Sequence, residues 1–253
     1  MTWRVVAASD VGTSHIANGK PCEDSCWAQV DSTAAGVPVL SVFVADGAGT
    51  AARGREGADL AIQAAAAFVA AKLKLAEFAV SDGLAVDCVS AVRARIYSEA
   101  DKAGLTARDY ACTFLGVVST PQASLAMQVG DGGIVVDAGS GLEVAVAPMS
   151  GEYANMTNFV TEDDAITVMA TKVFPGPLLR VAVFSDGLQR LALNMAANTP
   201  HEPFFAPFFR VLGAAAGAQE DELQGALVRF LSGPAVNERT DDDKTLALAV
   251  QVV

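Results

Sequence analysis

Asp46 closes the apolar run Val42-Phe43-Val44-Ala45, and Asp186 follows Val181-Ala182-Val183-Phe184-Ser185; both precede a glycine, as does Asp131. Apolar runs of this kind read as buried strands, so each carboxylate sits at a strand end, held by rigid backbone and open to solvent. Glycine lets the chain turn sharply there and lets a carbonyl oxygen approach a ligand with no Cβ in the way. Asp242 stands just before a strand, Asp24 with Glu23 just before another, and Asp10 at the end of a third. Taken singly, an Asp-Gly pair is ordinary turn chemistry. Gathered in one place, these oxygens suit hard divalent cations, Mg²⁺ or Mn²⁺, which prefer octahedral sites and retain several waters. Two such ions side by side can share and acidify a water and neutralise a phosphoryl transition state.

The elements that must position these residues follow from periodicity. Trp3 to Asp10, Cys26 to Val30 and Pro38 to Ala45 read as strands, spaced too closely for a βαβ crossover and so antiparallel. Glu56 to about Phe78 is alanine- and leucine-rich and helical, Asp82-Gly83 breaks it, and Leu84 to Ala103 is a second helix packed against the first. Ala111 to Ser119, Ser124 to Val129, Ile134 to Asp137 and Leu142 to Ala147 form a meander of short strands. Pro148 to Pro177 is a polar surface excursion over the site, with a short strand at Ile166 to Ala170. Leu178 to Phe184 is a strand, Leu188 to Met195, Pro203 to Ala216 and Glu220 to Leu231 are helices, and Thr245 to Val253 is the closing strand. Strands, two helices, strands, helices and a strand imply an α+β chain in one domain, residues 1–253, with sheets between helical layers.

Composition narrows the function. A formal charge of −12 argues against nucleic acid, whose phosphates need a basic surface. No apolar stretch approaches the ~20 residues that cross a bilayer, and Met1-Thr2-Trp3-Arg4 begins a strand pattern rather than a signal peptide. The expectation is a cytoplasmic protein that binds neither nucleic acid nor membrane. Four cysteines (Cys22, Cys26, Cys88, Cys112) fit neither a disulfide scaffold nor a zinc site, and read as reduced thiols. Two histidines, His15 and His201, disfavour a histidine-ligated metal or a Ser-His-Asp triad.

The order Glu23-Asp24, Asp46-Gly47-Ala48-Gly49, Ala111-Cys112-Thr113, Gly130-Asp131-Gly132, Ser185-Asp186-Gly187 and Asp242-Asp243-Lys244-Thr245 resembles the metal-dependent (PPM, type 2C) serine/threonine protein phosphatases. The likeness runs from Val6 to Val252. It is strongest to a bacterial subgroup with a Gly-x-x-His start and a Gly-Glu-Tyr-Ala-Asn segment, here Gly12 to His15 and Gly151 to Asn155. The resemblance implies a four-layer α-β-β-α sandwich of two antiparallel sheets flanked by helices, with the metals at one end between the sheets. It implies two or three Mn²⁺ or Mg²⁺ ions. Asp46 would bridge two of them, with the Gly47 carbonyl as a further ligand. Asp186 and Asp242 would hold the first metal, Glu23 and Asp24 the second, partly through water, and Asp131 with Asp186 a weaker third. Asp46, Asp24 and His15 would carry catalysis, and a metal-bridging water would attack phosphoserine or phosphothreonine in line. The substrate would be a phosphorylated protein, with a bacterial serine/threonine kinase or its targets as partner by analogy.

Two departures from the family pattern stand out. His15 takes the place of an arginine that clamps the substrate phosphate, and a histidine has no bidentate fork. Arg53 and Arg55, beside the metal loop, could substitute or could simply face solvent. Ala48 stands where eukaryotic members carry a histidine, leaving protonation of the leaving group to water or to His15, which could equally be structural. The alternative function is a catalytically weak phosphatase-like module that binds a phosphorylated signalling partner. A more distant one is an actin-like ATPase or kinase, suggested by Asp10-Val11-Gly12-Thr13-Ser14 but leaving Asp46, Asp186 and Asp242 unexplained.

Overall fold

The computed structural model describes residues 2–146, 157–215 and 219–252. Among the described residues, twelve strands and eight α-helices follow in chain order. They are β1 (Thr2–Asp10), α1 (Thr13–Ala17), β2 (Asp24–Ser32), β3 (Pro38–Asp46), α2 (Gly54–Lys72), α3 (Asp82–Ala103), β4 (Phe114–Ser119), β5 (Ala123–Val129), β6 (Gly133–Asp137) and β7 (Leu142–Val144). Then come α4 (Ala165–Val168), β8 (Ala170–Pro175), β9 (Arg180–Phe184), α5 (Gln189–Ala192), β10 (Leu193–Asn194), β11 (Thr199–Pro200), α6 (Glu202–Ala214), α7 (Glu220–Leu231), α8 (Pro234–Asn237) and β12 (Lys244–Val252).

One five-stranded sheet runs β1-β12-β9-β6-β7 and the other β2-β3-β4-β5-β8, every pairing antiparallel. Period-2 alternation decides the layering. Along β3, Leu40, Val42 and Val44 face the other sheet, while Val39, Phe43 and Ala45 face α2 and α3. Along β12, Ala247 and Ala249 face the other sheet, while Leu246, Leu248 and Val250 pack under α6 and α7. Strands apolar on both faces must be covered on both, and the result is three apolar cores between four layers: the α-β-β-α sandwich expected.

Several local readings change. The first long helix ends at Lys72 rather than near Phe78, because Phe78 and Val80 turn back onto the core as irregular chain. Asp82-Gly83 does not break a helix but begins α3: Ser81 Oγ accepts from the Leu84 amide as its N-cap. The strand expected at Ile166 to Ala170 is a helical turn, Ala165–Val168, and the strand proper is β8, the edge of the second sheet. Leu188 to Met195 is a short helix only to Ala192, and Leu193–Asn194 then pairs with β11. The Gly151 to Asn155 segment and part of the Pro148 to Pro177 excursion lie outside the described residues.

A candidate two-cation phosphoryl-transfer site

Sheet register builds the floor of the site. β2 and β3 pair so that Asp24 lies directly opposite Asp46. From the other sheet, Ser185 follows β9 and Thr245 lies in β12; their hydroxyls both donate to Asp24 Oδ2, each at 2.7 Å. That buried clamp joins the two sheets at one end and leaves Asp24 Oδ1 without a partner. Ser185 and Thr245 were not legible as site residues in the sequence, since their role depends on which strands become neighbours.

Asp46 is fixed through its backbone. Its amide donates to Thr113 Oγ1 at 3.0 Å, the Thr113 amide donates to Asp46 O at 2.8 Å, and Gly47 N donates to Glu23 O at 3.1 Å. A Cβ on Gly47 would lie 2.3 Å from the Gly54 carbonyl carbon, and one on Gly187 would lie 2.1 Å from Asp243 O. At both positions the two loops touch so closely that only glycine fits.

Asp46, Asp131, Asp186 and Asp242 share the wall of a cavity of about 290 Å³ with His15, Gly47, Ala48, Gly49, Thr50, Thr113, Thr157 and Phe159. Asp131 Oδ2 accepts from Thr157 Oγ1 at 2.7 Å. Glu23 and Asp24 lie behind this wall, 9% and 4% exposed. The set named from the sequence therefore converges from loops after β1, β3, β5 and β9 and before β2 and β12. Asp10 falls elsewhere: its Oδ2 lies 3.3 Å from Lys244 Nζ. Arg53 turns to Glu56 and Tyr110, and Arg55 to Cys22 O and Asp59, so neither guanidinium reaches the cavity wall.

The acid next to Asp242 has a different job. Asp243 accepts from the Gly12 amide through Oδ1 at 2.6 Å and from the Glu23 amide through Oδ2 at 2.5 Å. His15 Nδ1 lies 3.0 Å from Asp243 Oδ2 but off the line of a hydrogen bond, which makes the contact an ion pair when the imidazole is protonated. His15 Nε2 lies 3.7 Å from Glu23 Oε2. Asp243 thus ties the first loop and Glu23 to the closing strand.

The carboxylates are in electrostatic conflict without a cation. Burial pushes Asp24 up to about 7, against the two hydroxyls that favour its charge, with Asp243 and Asp186 raising it further. Burial raises Asp46 well above the usual carboxylate range, and the charges of Asp24, Asp186 and Asp242 add to it. Asp186 is pushed up to about 6, chiefly by burial and then by Asp131 and Asp242. The closeness of Asp46 and Asp186 acts unequally, raising the first and lowering the second.

Fit to a cation can be judged from the unpaired atoms. Buried Glu23 Oε2, Asp24 Oδ1 and Asp186 Oδ1 have no hydrogen-bond partner, and such groups call for an ion or water. Among the described residues no group of three acidic, histidine or cysteine side chains is placed closely enough to hold an ion by itself. The donor set is all oxygen, which suits Mg²⁺ or Mn²⁺.

A pH dependence follows. Carboxylates whose folded pKa lies above the unfolded value near 3.8 bind more protons folded than unfolded between those limits, so stability falls as pH rises through them. In EDTA the protein should melt at a higher temperature near about pH 5.5 than near about pH 8, and saturating Mn²⁺ should raise the melting temperature most at the higher pH. Scanning calorimetry at the two pH values checks this.

Residues 11–232 match the model of the Protein phosphatase 2C family. Serine/threonine-protein phosphatase 3 of Escherichia coli (strain K12) is 53% identical over 250 residues, covering 99% of each chain. Among solved structures, the catalytic domain of the serine/threonine protein phosphatase PstP in complex with two manganese ions superposes with a TM-score of 0.64 at 14% identity, covering 99% of both chains. Stp1 from Staphylococcus aureus superposes with a TM-score of 0.58 at 13% identity, covering 99% of this chain and 96% of that one. Those two likenesses speak for the fold, and the sequence matches for the family. This chain belongs to the protein phosphatase 2C family.

Proposed function

We propose that this chain is a metal-dependent phosphatase that hydrolyses phosphoserine and phosphothreonine in proteins. The observation that carries the reading is the convergence of Asp46, Asp186 and Asp242 on one cavity, with buried carboxylate oxygens of Glu23, Asp24 and Asp186 left unpaired. In this reading Asp46, Asp186, Asp242, Glu23, Asp24, the Gly47 carbonyl and Asp131 would together hold two or three Mn²⁺ or Mg²⁺ ions. Cations held there supply positive charge against the phosphoryl oxygens and lower the pKa of water.

The chain's own groups do the rest. Ser185 and Thr245 hold Asp24 by one oxygen and leave the other without a partner, available to an ion or to the attacking water, whose proton it would take. Thr113 and the Glu23 carbonyl hold the Asp46-Gly47 turn rigid, which keeps the carboxylate from following the substrate. His15, in the cavity wall, is the side chain placed to protonate the departing serine or threonine oxygen.

The same proposal takes residues 1–253 as a single phosphatase domain, supported by the pairing of β1 along its whole length with β12. It places the enzyme in the cytoplasm, in keeping with four free cysteines. No helix among the described residues is long and apolar enough to cross a membrane. A serine/threonine kinase or its targets is the partner this chemistry suits.

Phosphate release from a phosphothreonine peptide tests the reading. It should require Mn²⁺ or Mg²⁺ and stop with EDTA. Mn²⁺ at about a hundred times its dissociation constant should also stabilise the fold by about 2.7 kcal/mol, read as a rise in melting temperature. Binding of the phosphopeptide without turnover would favour the non-catalytic module instead.

A further inference from the structure

Among the described residues, a phosphate monoester entering this cavity meets four carboxylates and one imidazole in the wall, and no lysine or arginine. The cations of the proposed function offset the carboxylates, but a dianionic group still favours a direct donor from the chain. Arg53 and Arg55 are engaged elsewhere. Lys20 is not. Its Nζ lies 3.3 Å from the carbonyl of Gly49, a residue of the cavity wall, and 3.7 Å from Glu23 Oε2. Among the described residues only the carbonyl is within hydrogen-bond distance, which leaves two of its three N–H donors uncommitted to them. The side chain is 42% exposed, at the rim.

The backbone beneath it is fixed. Lys20 N donates to His15 O at 2.9 Å, closing a turn through Gly19, whose φ of +66° is the left-handed value that glycine takes without strain. Lys20 and His15 are therefore carried as one unit against the Gly47–Thr50 loop. A lysine on that turn is a mobile point charge on an anchored stem, which suits a tetrahedral anion arriving from solvent.

We propose that Lys20 contacts the phosphate of the substrate and sets the affinity of the site for phosphomonoesters. This rests on the phosphatase reading above and deepens it. The bland alternative is a surface ion pair that neutralises Glu23, worth little in itself.

The test compares Lys20→Met, Lys20→Arg and the unaltered full chain, all loaded with Mn²⁺. With p-nitrophenyl phosphate, Lys20→Met should raise KM roughly tenfold and leave kcat within about threefold. Inhibition by inorganic phosphate should weaken in parallel, and Lys20→Arg should restore most of both. Without turnover, the rise in melting temperature that inorganic phosphate gives the unaltered protein should shrink in Lys20→Met. KM, phosphate inhibition and phosphate stabilisation all unchanged within about twofold would overturn the proposal. So would a change confined to the Mn²⁺ requirement, which would assign Lys20 to Glu23. If the unaltered chain releases no phosphate yet is stabilised by it through Lys20, the phosphatase reading fails while Lys20 keeps its role.

Discussion

Asp46→Asn should abolish Mn²⁺-dependent phosphate release, by roughly a thousandfold or more, while leaving the fold intact. The backbone of Asp46 is held by Thr113 and its neighbour Gly47 by the Glu23 carbonyl, bonds the substitution does not touch. The carboxylate itself is an unfavourably placed charge. Burial raises it first, and Asp24, Asp186 and Asp242 oppose its ionisation. Removing it therefore has effects of opposite sign on two measurements. In EDTA the variant should melt at or above the temperature of the unaltered protein, because a like charge has left the cluster. With Mn²⁺ it should gain little, because a carboxylate proposed to hold the ions has gone. Phosphate release and a pair of melting curves read both effects. A variant that still turns over near the normal rate would remove Asp46 from the centre of the account.

Lys244→Ala should cost about 3 kcal/mol of stability, a drop in melting temperature on the order of 10 °C for a chain of this size. Lys244 is fully buried. Its ammonium donates to Val11 O at 2.9 Å and to Asn237 Oδ1 at 2.7 Å, with Asp10 Oδ2 at 3.3 Å. It joins the end of β1, the start of β12 and α8, and through Val11 the chain that leads into α1, which carries His15. Truncation leaves a cavity and strips three partners of their donor, though Asp10 is 20% exposed and recovers water. The loss should show in thermal melts without any cation. Lys244→Met, which keeps the stem, should recover part of it. A truncation that leaves the melting temperature unchanged would mean the buried amine does not hold these segments together.

The layering was legible because strands buried on both faces leave a strong signal. Val42 to Ala45 in β3 and Val181 to Phe184 in β9 are apolar at every position, and the three cores they divide follow from alternation alone. β8 was misplaced because an edge strand with Thr171 and Lys172 at half-buried positions has no such signal. Asp82-Gly83 reads as a breaker because the dipeptide favours turns, whereas Ser81 before it makes a cap, so the pair opens a helix. In the site, the carboxylates at strand ends could be picked out by their glycines and apolar approaches. Their supports could not. Asp243 looks in sequence like a duplicate of Asp242, yet accepts two backbone amides and faces His15. Ser185 and Thr245 act on Asp24 from residues 161 and 221 positions away. Arg53 and Arg55 looked available by proximity to the Asp46 loop, but helix geometry gave each a nearby acid, Glu56 and Asp59, on its own turn.

The most direct measurement is anomalous diffraction at the manganese edge from crystals soaked in Mn²⁺. The account expects at least two peaks in the cavity, one touching Asp46, Asp186 and Asp242, the other touching Asp46 and the Gly47 carbonyl on the side of Glu23 and Asp24. Manganese bound only at other acidic surfaces, with these carboxylates free of it, would contradict the central claim.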